Sequence, residues 1–259
     1  MADVDSAQQS CWQLRLLGGF DLRSDGVPVL LAGREARLVA LLALQCATVT
    51  RELVAATLWG PAGHRNVAGS LRTAVWRVGL AAPGLIVKDR CHLALHEQVE
   101  VDVRRARNVA ASLTTDPDPA VPPHTIALLE HDLLPGWYDD WVVVEHERFR
   151  QSRVHALEAA ARALSAEGRH AQAVDAARLA VAAEPLRESA HRAVIEAHLA
   201  DGDPGAAWRQ FHRCRRILTQ EFGLEPSAEL ARLVASSRGR VARPVRGATP
   251  AEVPYHRPQ

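Results

Sequence analysis

Between Asn66 and Leu80 the chain reads Asn-Val-Ala-Gly-Ser-Leu-Arg-Thr-Ala-Val-Trp-Arg-Val-Gly-Leu. At a helical period Leu71, Ala74, Val75 and Val78 share one face and can be buried. The opposite side then presents Arg65, Ser70, Arg72, Thr73, Trp76 and Arg77, with no acid among them. Guanidinium forks grip phosphates or the acceptor edge of guanine, so this is the chemistry of a helix lying in a DNA groove. An ordinary solvated basic face has the same composition, and the flanking elements must separate the two.

Other chemistry lacks such an arrangement. There is no Gly-x-Ser-x-Gly elbow, no Cys/His signature and no GxxxxGK[ST] phosphate loop, so neither an enzyme nor a bound cofactor is expected. The 12 histidines include His191 and His198, seven apart, and a Glu145-His146-Glu147 run. Neither has HExxH spacing or a third ligand, which leaves solvated or capping roles and no metal site. Cys11, Cys46, Cys91 and Cys214 form no CxxC pair, which argues against zinc or a disulfide framework and fits a reducing cytoplasm. The start of the chain carries Asp3 and Asp5 and does not read as a signal peptide. The longest apolar run, Leu38 to Val49, is too short to span a membrane.

The elements around the basic helix give it a place. Leu14–Leu17 and Phe20–Leu22 are strand-like pieces around Gly18-Gly19, Ser24-Asp25-Gly26 is a turn, and Val27–Leu31 returns as a strand. A helix is expected from about Arg34 to Gln45, with Leu38, Leu41, Leu42 and Gln45 setting its period. Thr48 or Thr50 caps a short helix, Arg51–Leu58. Trp59 to Gly63 is a compact loop, and Asn66 caps the next helix. Two alternating segments follow, Leu85–Lys88 and His92–Leu95, around the tip Asp89-Arg90-Cys91. Helix, loop, helix and hairpin in that order make a winged helix-turn-helix, in which Lys88 and Arg90 suit phosphate or minor-groove contact. Arg34 and Arg37 open the first helix, where they either hold phosphate or pair with Glu35 or Asp21. Trp76 either meets DNA or packs under the wing.

Formal net charge is only +1, but its distribution is uneven. From Gly33 to His92 there are eight basic residues against three acids, Glu35, Glu52 and Asp89. That excess is a modest footprint for a polyanion, better suited to two copies on one site than to a lone chain.

Residues 104–113 continue as helix, and Thr114–Pro123 is a Pro/Asp/Thr-rich connection. Nearly all of the remainder to about Ala235 is expected to be helical. Ala166, Gly168, Ala173 and Ala180 recur 34 residues later as Ala200, Gly202, Ala207 and Cys214, and Pro185 falls where a second helix should stop. This is the period and punctuation of tetratricopeptide repeats. Trp137, Tyr138 and Trp141 are expected in core and inter-domain packing. The fold class is therefore mainly α with a small β component. Residues 12–105 form a winged helix-turn-helix domain, 106–235 an all-α tetratricopeptide-like domain, and 236–259 an Arg/Pro/Gly-rich tail without fixed structure.

Leu17-Gly18-Gly19-Phe20, Asp25-Gly26-Val27-Pro28-Val29, Ala56-Thr57-Leu58-Trp59-Gly60 and Ser70 to Arg77 resemble the Streptomyces antibiotic regulatory protein family. So do Leu134-Pro135-Gly136-Trp137-Tyr138-Asp139-Asp140-Trp141 with Glu147-Arg148, Glu184-Pro185-Leu186-Arg187-Glu188-Ser189-Ala190, and Glu221-Phe222-Gly223-Leu224-Glu225-Pro226. The likeness extends over about residues 12–235. It implies an OmpR-type effector domain joined to a bacterial transcriptional activation domain. It further implies a cytoplasmic, nucleoid-associated homodimer on direct repeats of promoter DNA, recruiting RNA polymerase to an antibiotic gene cluster. Two departures stand out. Gly69 and Gly79 lie inside the third helix, each costing about 1 kcal/mol against Ala; Gly69 either lets the backbone approach DNA or shortens the helix. The wing has Cys91-His92 where relatives often carry Gly-Tyr. The rival reading is a helical adaptor or ligand sensor whose winged helix is a scaffold, and the acid-free outer face argues against it.

Overall fold

The structure, a computed structural model, describes residues 11–45, 47–60 and 66–241, with side chains through Ser236. Arg65, Cys46 and most of the tail lie outside the described residues.

The chain opens with β1 (Trp12–Arg15), β2 (Asp21–Ser24) and β3 (Val27–Pro28). Asp25 and Gly26 both have positive φ (49° and 81°), so the Ser24–Val27 hairpin takes the mirror-image turn that matches strand twist. The strand expected over Leu14–Leu17 stops at Arg15, because the amides of Leu16 and Leu17 donate instead to the Asp102 carboxylate (2.9 and 3.0 Å). Burial raises the Asp102 carboxyl above its ordinary range, against the lowering effect of those amides. The second piece runs to Ser24 rather than ending at Leu22, since Trp12 pairs with Ser24. Of Val27–Leu31 only Val27–Pro28 pairs as strand; Leu30 is 92% exposed. β7 (Glu100–Val101) joins β1 in parallel and completes the sheet order β3-β2-β1-β7.

Helix α1 (Gly33–Gln45) is the central rod. Ala36 and every residue from Leu38 to Leu44 are buried, so the one-sided period expected for it is replaced by burial all round, and Gln45 is exposed. Its terminal carbonyls are met by arginines of α4 (Asp102–Thr115): Arg104 donates to Ala43 O (3.0 Å) and Arg107 to Leu44 O (3.2 Å). They supply partners that a helix end lacks. Helices α2 (Arg51–Trp59) and α3 (Val67–Ala81) pack on α1, and β4 (Val49–Thr50), β6 (His92–Leu95) and β5 (Ile86–Lys88) make a second antiparallel sheet. Thr50, not Thr48, caps α2, accepting from Leu53 N at 3.3 Å.

Helices α5 (Pro123–Leu128), α6 (Asp140–Ala166), α7 (His170–Ala183), α8 (Glu188–Ala200), α9 (Pro204–Phe222) and α10 (Ala228–Val241) follow. The repeat seen in the sequence is structural. Gly168 and Gly202 have φ of 75° and 79° between α6 and α7 and between α8 and α9. Arg169 N reaches Leu164 O and Asp203 N reaches His198 O, both at 2.9 Å, closing the same helix-ending motif twice. Ala173, Ala207, Ala180 and Cys214 are each 0% exposed where the paired helices meet. The fold is thus a winged helix-turn-helix followed by an all-α repeat-like part.

Two expectations for single residues are corrected. Tyr138 is 85% exposed and lies outside the core, whereas Trp137 and Trp141 pack against it. His191 is neither solvated nor a cap: it is buried, with Nε2 against Pro185 O and Nδ1 against Gln210 Nε2, both at 2.8 Å. Gln210 can only donate to Nδ1, which leaves the proton on Nε2 and the ring neutral. Burial pushes its pKa below the ordinary histidine value, with Arg213 nearby in the same sense and the Pro185 carbonyl and Glu188 opposing.

Candidate nucleic-acid interface

Helix α3 is built as its period requires. Leu71, Ala74, Val75 and Val78 are buried, while Arg72, Thr73, Trp76 and Arg77 are exposed and Ser70 is half-buried. Asn66 caps it, Oδ1 accepting from Gly69 N at 2.8 Å. A Cβ on Gly69 would sit 2.5 Å from Asn66 Nδ2 and 2.7 Å from Oδ1. Gly69 therefore makes room for the capping amide. That is a local reason, different from both alternatives raised by the sequence.

The side chains of this face differ in what they can offer. Trp76 is 61% exposed, so it does not pack under the wing. Ser70 Oγ donates to Asn66 O (3.2 Å) and Thr73 Oγ1 to Gly69 O (3.0 Å), so both hydroxyl protons are engaged within the helix. The Thr73 methyl is left for apolar contact. Arg72 makes no ion pair with a described residue. Arg77 does: its Nη1 lies 3.3 Å from Oε1 of Glu35, a residue of α1 that is 4% exposed. The outer face of α3 has no acid of its own, but α1 delivers one to it. Sequence pattern does not mark that acid as a partner of Arg77, because 42 positions separate the two.

Arg34 is exposed and lines, with Glu35, Arg72, Thr73 and Arg77, a concavity of about 500 Å³ beside α3. Arg37 is not part of it. Its guanidinium pairs with Asp139 (2.9 and 3.0 Å) and lies over the Trp137 ring at 5.2 Å, while Asp21 is taken by Arg23 at 2.7 Å. Both pairings suggested for Arg37, and its phosphate role, are thereby replaced.

The wing is the β5–β6 hairpin, with Lys88 and Arg90 exposed at its tip. Asp89 ties the tip together, accepting from Cys91 N and His92 N at 2.7 Å each. These amides, Cys91 first, hold its carboxyl below the usual range. Arg51 fixes the wing to the start of α2, its amide to Cys91 O (2.8 Å) and its Nη1 to Asp89 O (3.1 Å). The hairpin position left open by Cys91-His92 is thus organised by Asp89 in place of a Gly-Tyr pair. Arg65 lies outside the described residues.

Among the described residues no group of three or more His, Cys, Asp or Glu is placed to hold a metal ion, and no helix is long and apolar enough to cross a membrane.

The family model of the bacterial transcriptional activator domain matches residues 101–236. The fold is similar, with a TM-score of 0.63 and 17% identity, to Mycobacterium tuberculosis EmbR solved in complex with a low-affinity phosphopeptide. The likeness covers 90% of this chain and 66% of that one, so the chain spans just under two thirds of its length. No curated protein sequence matches.

Proposed function

On the premise that the chain belongs to the bacterial transcriptional activator domain family, we propose that it is a sequence-specific, duplex-DNA-binding transcriptional activator. One observation carries this reading. Helix α3 buries its apolar stripe and turns Arg72, Thr73, Trp76 and Arg77 outward beside a wing bearing Lys88 and Arg90. In this reading α3 enters the major groove with Arg72 and Arg77 toward base edges or phosphates. Arg34, Lys88 and Arg90 hold backbone phosphates, Arg65 is assigned to the same DNA-binding set, and Ser70, its proton held by Asn66 O, takes part as an acceptor.

Residues 12–105 would form the DNA-binding domain, and 106–235 the domain that engages the transcription machinery. The resemblance to Streptomyces antibiotic regulatory proteins supports a dimer on direct repeats, recruitment of RNA polymerase, a cytoplasmic, nucleoid-associated site of action and control of an antibiotic gene cluster. The phosphopeptide belongs to EmbR, and nothing in the interface described above calls for one.

The test is electrophoretic and footprinting titration of the full chain on promoter fragments next to its own gene, at several salt concentrations. Affinity should fall steeply with salt, and Arg72→Ala should weaken binding and make the salt slope shallower by about one. Salt-insensitive or absent binding would favour a helical adaptor instead.

A further inference from the structure

Glu35 is out of place for a DNA-facing surface. It is a carboxylate, its side chain is 5% exposed, and its Oε2 is buried with no hydrogen-bond partner among the described residues. Among the described residues its one cation is Arg77, held through a single nitrogen at 3.3 Å. Burying a carboxylate against one such contact is a poor source of stability, and a negative charge beside α3 opposes phosphate binding. Stability and general DNA affinity are both better served by glutamine or an apolar residue here.

The pair makes sense if its output is selectivity. Arg77 stays 58% exposed, and among the described residues only its Nη1 is held, which leaves Nε and Nη2 for a ligand. A guanidinium restrained at one nitrogen loses less rotamer freedom when it docks, and its planar fork is the group that matches O6 and N7 of guanine. The carboxylate also cancels much of the diffuse attraction Arg77 would have for phosphate, which carries no sequence information. Glu35 and Arg77 both line the concavity shared with Arg34, Arg72 and Thr73, so the pair borders the same surface.

We propose that Glu35 is a positioning residue that turns Arg77 from a general phosphate contact into a selective reader of one G·C pair. This rests on the DNA-binding reading and deepens it. Arg72, with no ion pair among the described residues, keeps the general role.

The experiment selects the preferred duplex of the full chain from a randomised pool. It then measures binding of wild type, Arg72→Ala, Glu35→Gln, Arg77→Ala, Arg77→Lys and the Glu35→Gln/Arg77→Ala double variant. The targets are the preferred site, a panel with each base pair replaced, and an unrelated duplex. Glu35→Gln should bind the unrelated duplex about threefold more tightly, with a steeper salt slope, as Arg77 is released to phosphate. Discrimination at a single G·C position should fall about tenfold, the scale of one bidentate contact. Arg77→Ala should lose the same discrimination, and Glu35→Gln should add nothing to it. Arg77→Lys should keep affinity for the unrelated duplex and lose the discrimination.

A Glu35→Gln variant that retains full discrimination overturns the proposal. So does one weakened equally on every duplex, as a purely structural role requires. If Arg72→Ala still weakens binding in those cases, the DNA-binding reading survives alone. Absence of duplex binding by the wild type overturns both.

Discussion

The guanidinium of Arg37, on the first helix, lies 2.9 Å from the carboxylate of Asp139, 102 residues further along the chain. The contact joins the two parts of the molecule. Leu134-Pro135-Gly136-Trp137 forms a turn, with Gly136 at φ 83° and Trp137 N bonded to Leu134 O, that lays Trp137 on Phe20 and under Arg37. Backbone bonds between Leu134 N and Leu16 O (2.7 Å) and between Gly18 N and Asp132 O (2.8 Å) extend the seam. Because α3 packs on α1, the seam also fixes where the basic face points relative to the helical repeats.

Arg37→Ala should cost about 1–2 kcal/mol, because it removes the ion pair, the contact with Trp137 and the packing of its alkyl stem. Asp139→Asn should cost less, under about 1 kcal/mol, since both partners are partly solvated. In thermal unfolding the first should lower Tm by several degrees and the second by about half as much. Equal shifts would mean that the ring contact contributes nothing.

Gly69→Ala would ordinarily stabilise a helix by about 1 kcal/mol. Here the new Cβ displaces the Asn66 amide, and the lost cap, worth about 1 kcal/mol, offsets that gain. In an Asn66→Ala background the same substitution should give its full benefit. A double-mutant cycle by denaturant unfolding should therefore return a coupling of about 1 kcal/mol.

His191 has a folded-state pKa below its unfolded value, so its neutral form favours the fold. That stability is complete above about pH 6.5, the ordinary histidine value, and is lost as pH falls through the depressed folded value. Thermal unfolding of wild type and His191→Gln from pH 7.5 down to 5 should show a smaller acid-side decline in the variant. Parallel profiles would assign the decline to other groups.

Cys214 is fully buried and its thiol is pushed up to about 11 by burial, with Glu188 adding to the rise. Little thiolate forms at neutral pH, so alkylation should spare it. Peptide mapping after brief iodoacetamide treatment of the native protein should find Cys11 and Cys91, both exposed, modified before Cys214. Denaturant should abolish the difference.

The basic helix was legible in the sequence because its cause is local. Apolar residues at Leu71, Ala74, Val75 and Val78 determine which side is buried, and Asn66 determines where the helix starts. The glycines at 168 and 202 likewise mark positive-φ turns that any chain would need between such helices. Burial all round α1 was less legible, since a period describes one face and says nothing of what covers the other. Tyr138 and Trp137 are sequence neighbours with opposite fates, because only one of them points toward Phe20.

What the sequence determined by itself is therefore the elements, their caps and the outward residues of α3. The tertiary structure alone decided how those residues are partnered. Glu35 reaches Arg77 across 42 positions, Asp139 takes Arg37 across 102, and Arg104 and Arg107 close the end of α1 from 61 and 63 positions away. Helical period and capping act over three or four residues, whereas any arginine can pair with any acid. Which acid it meets is set only when the packed core brings the two together.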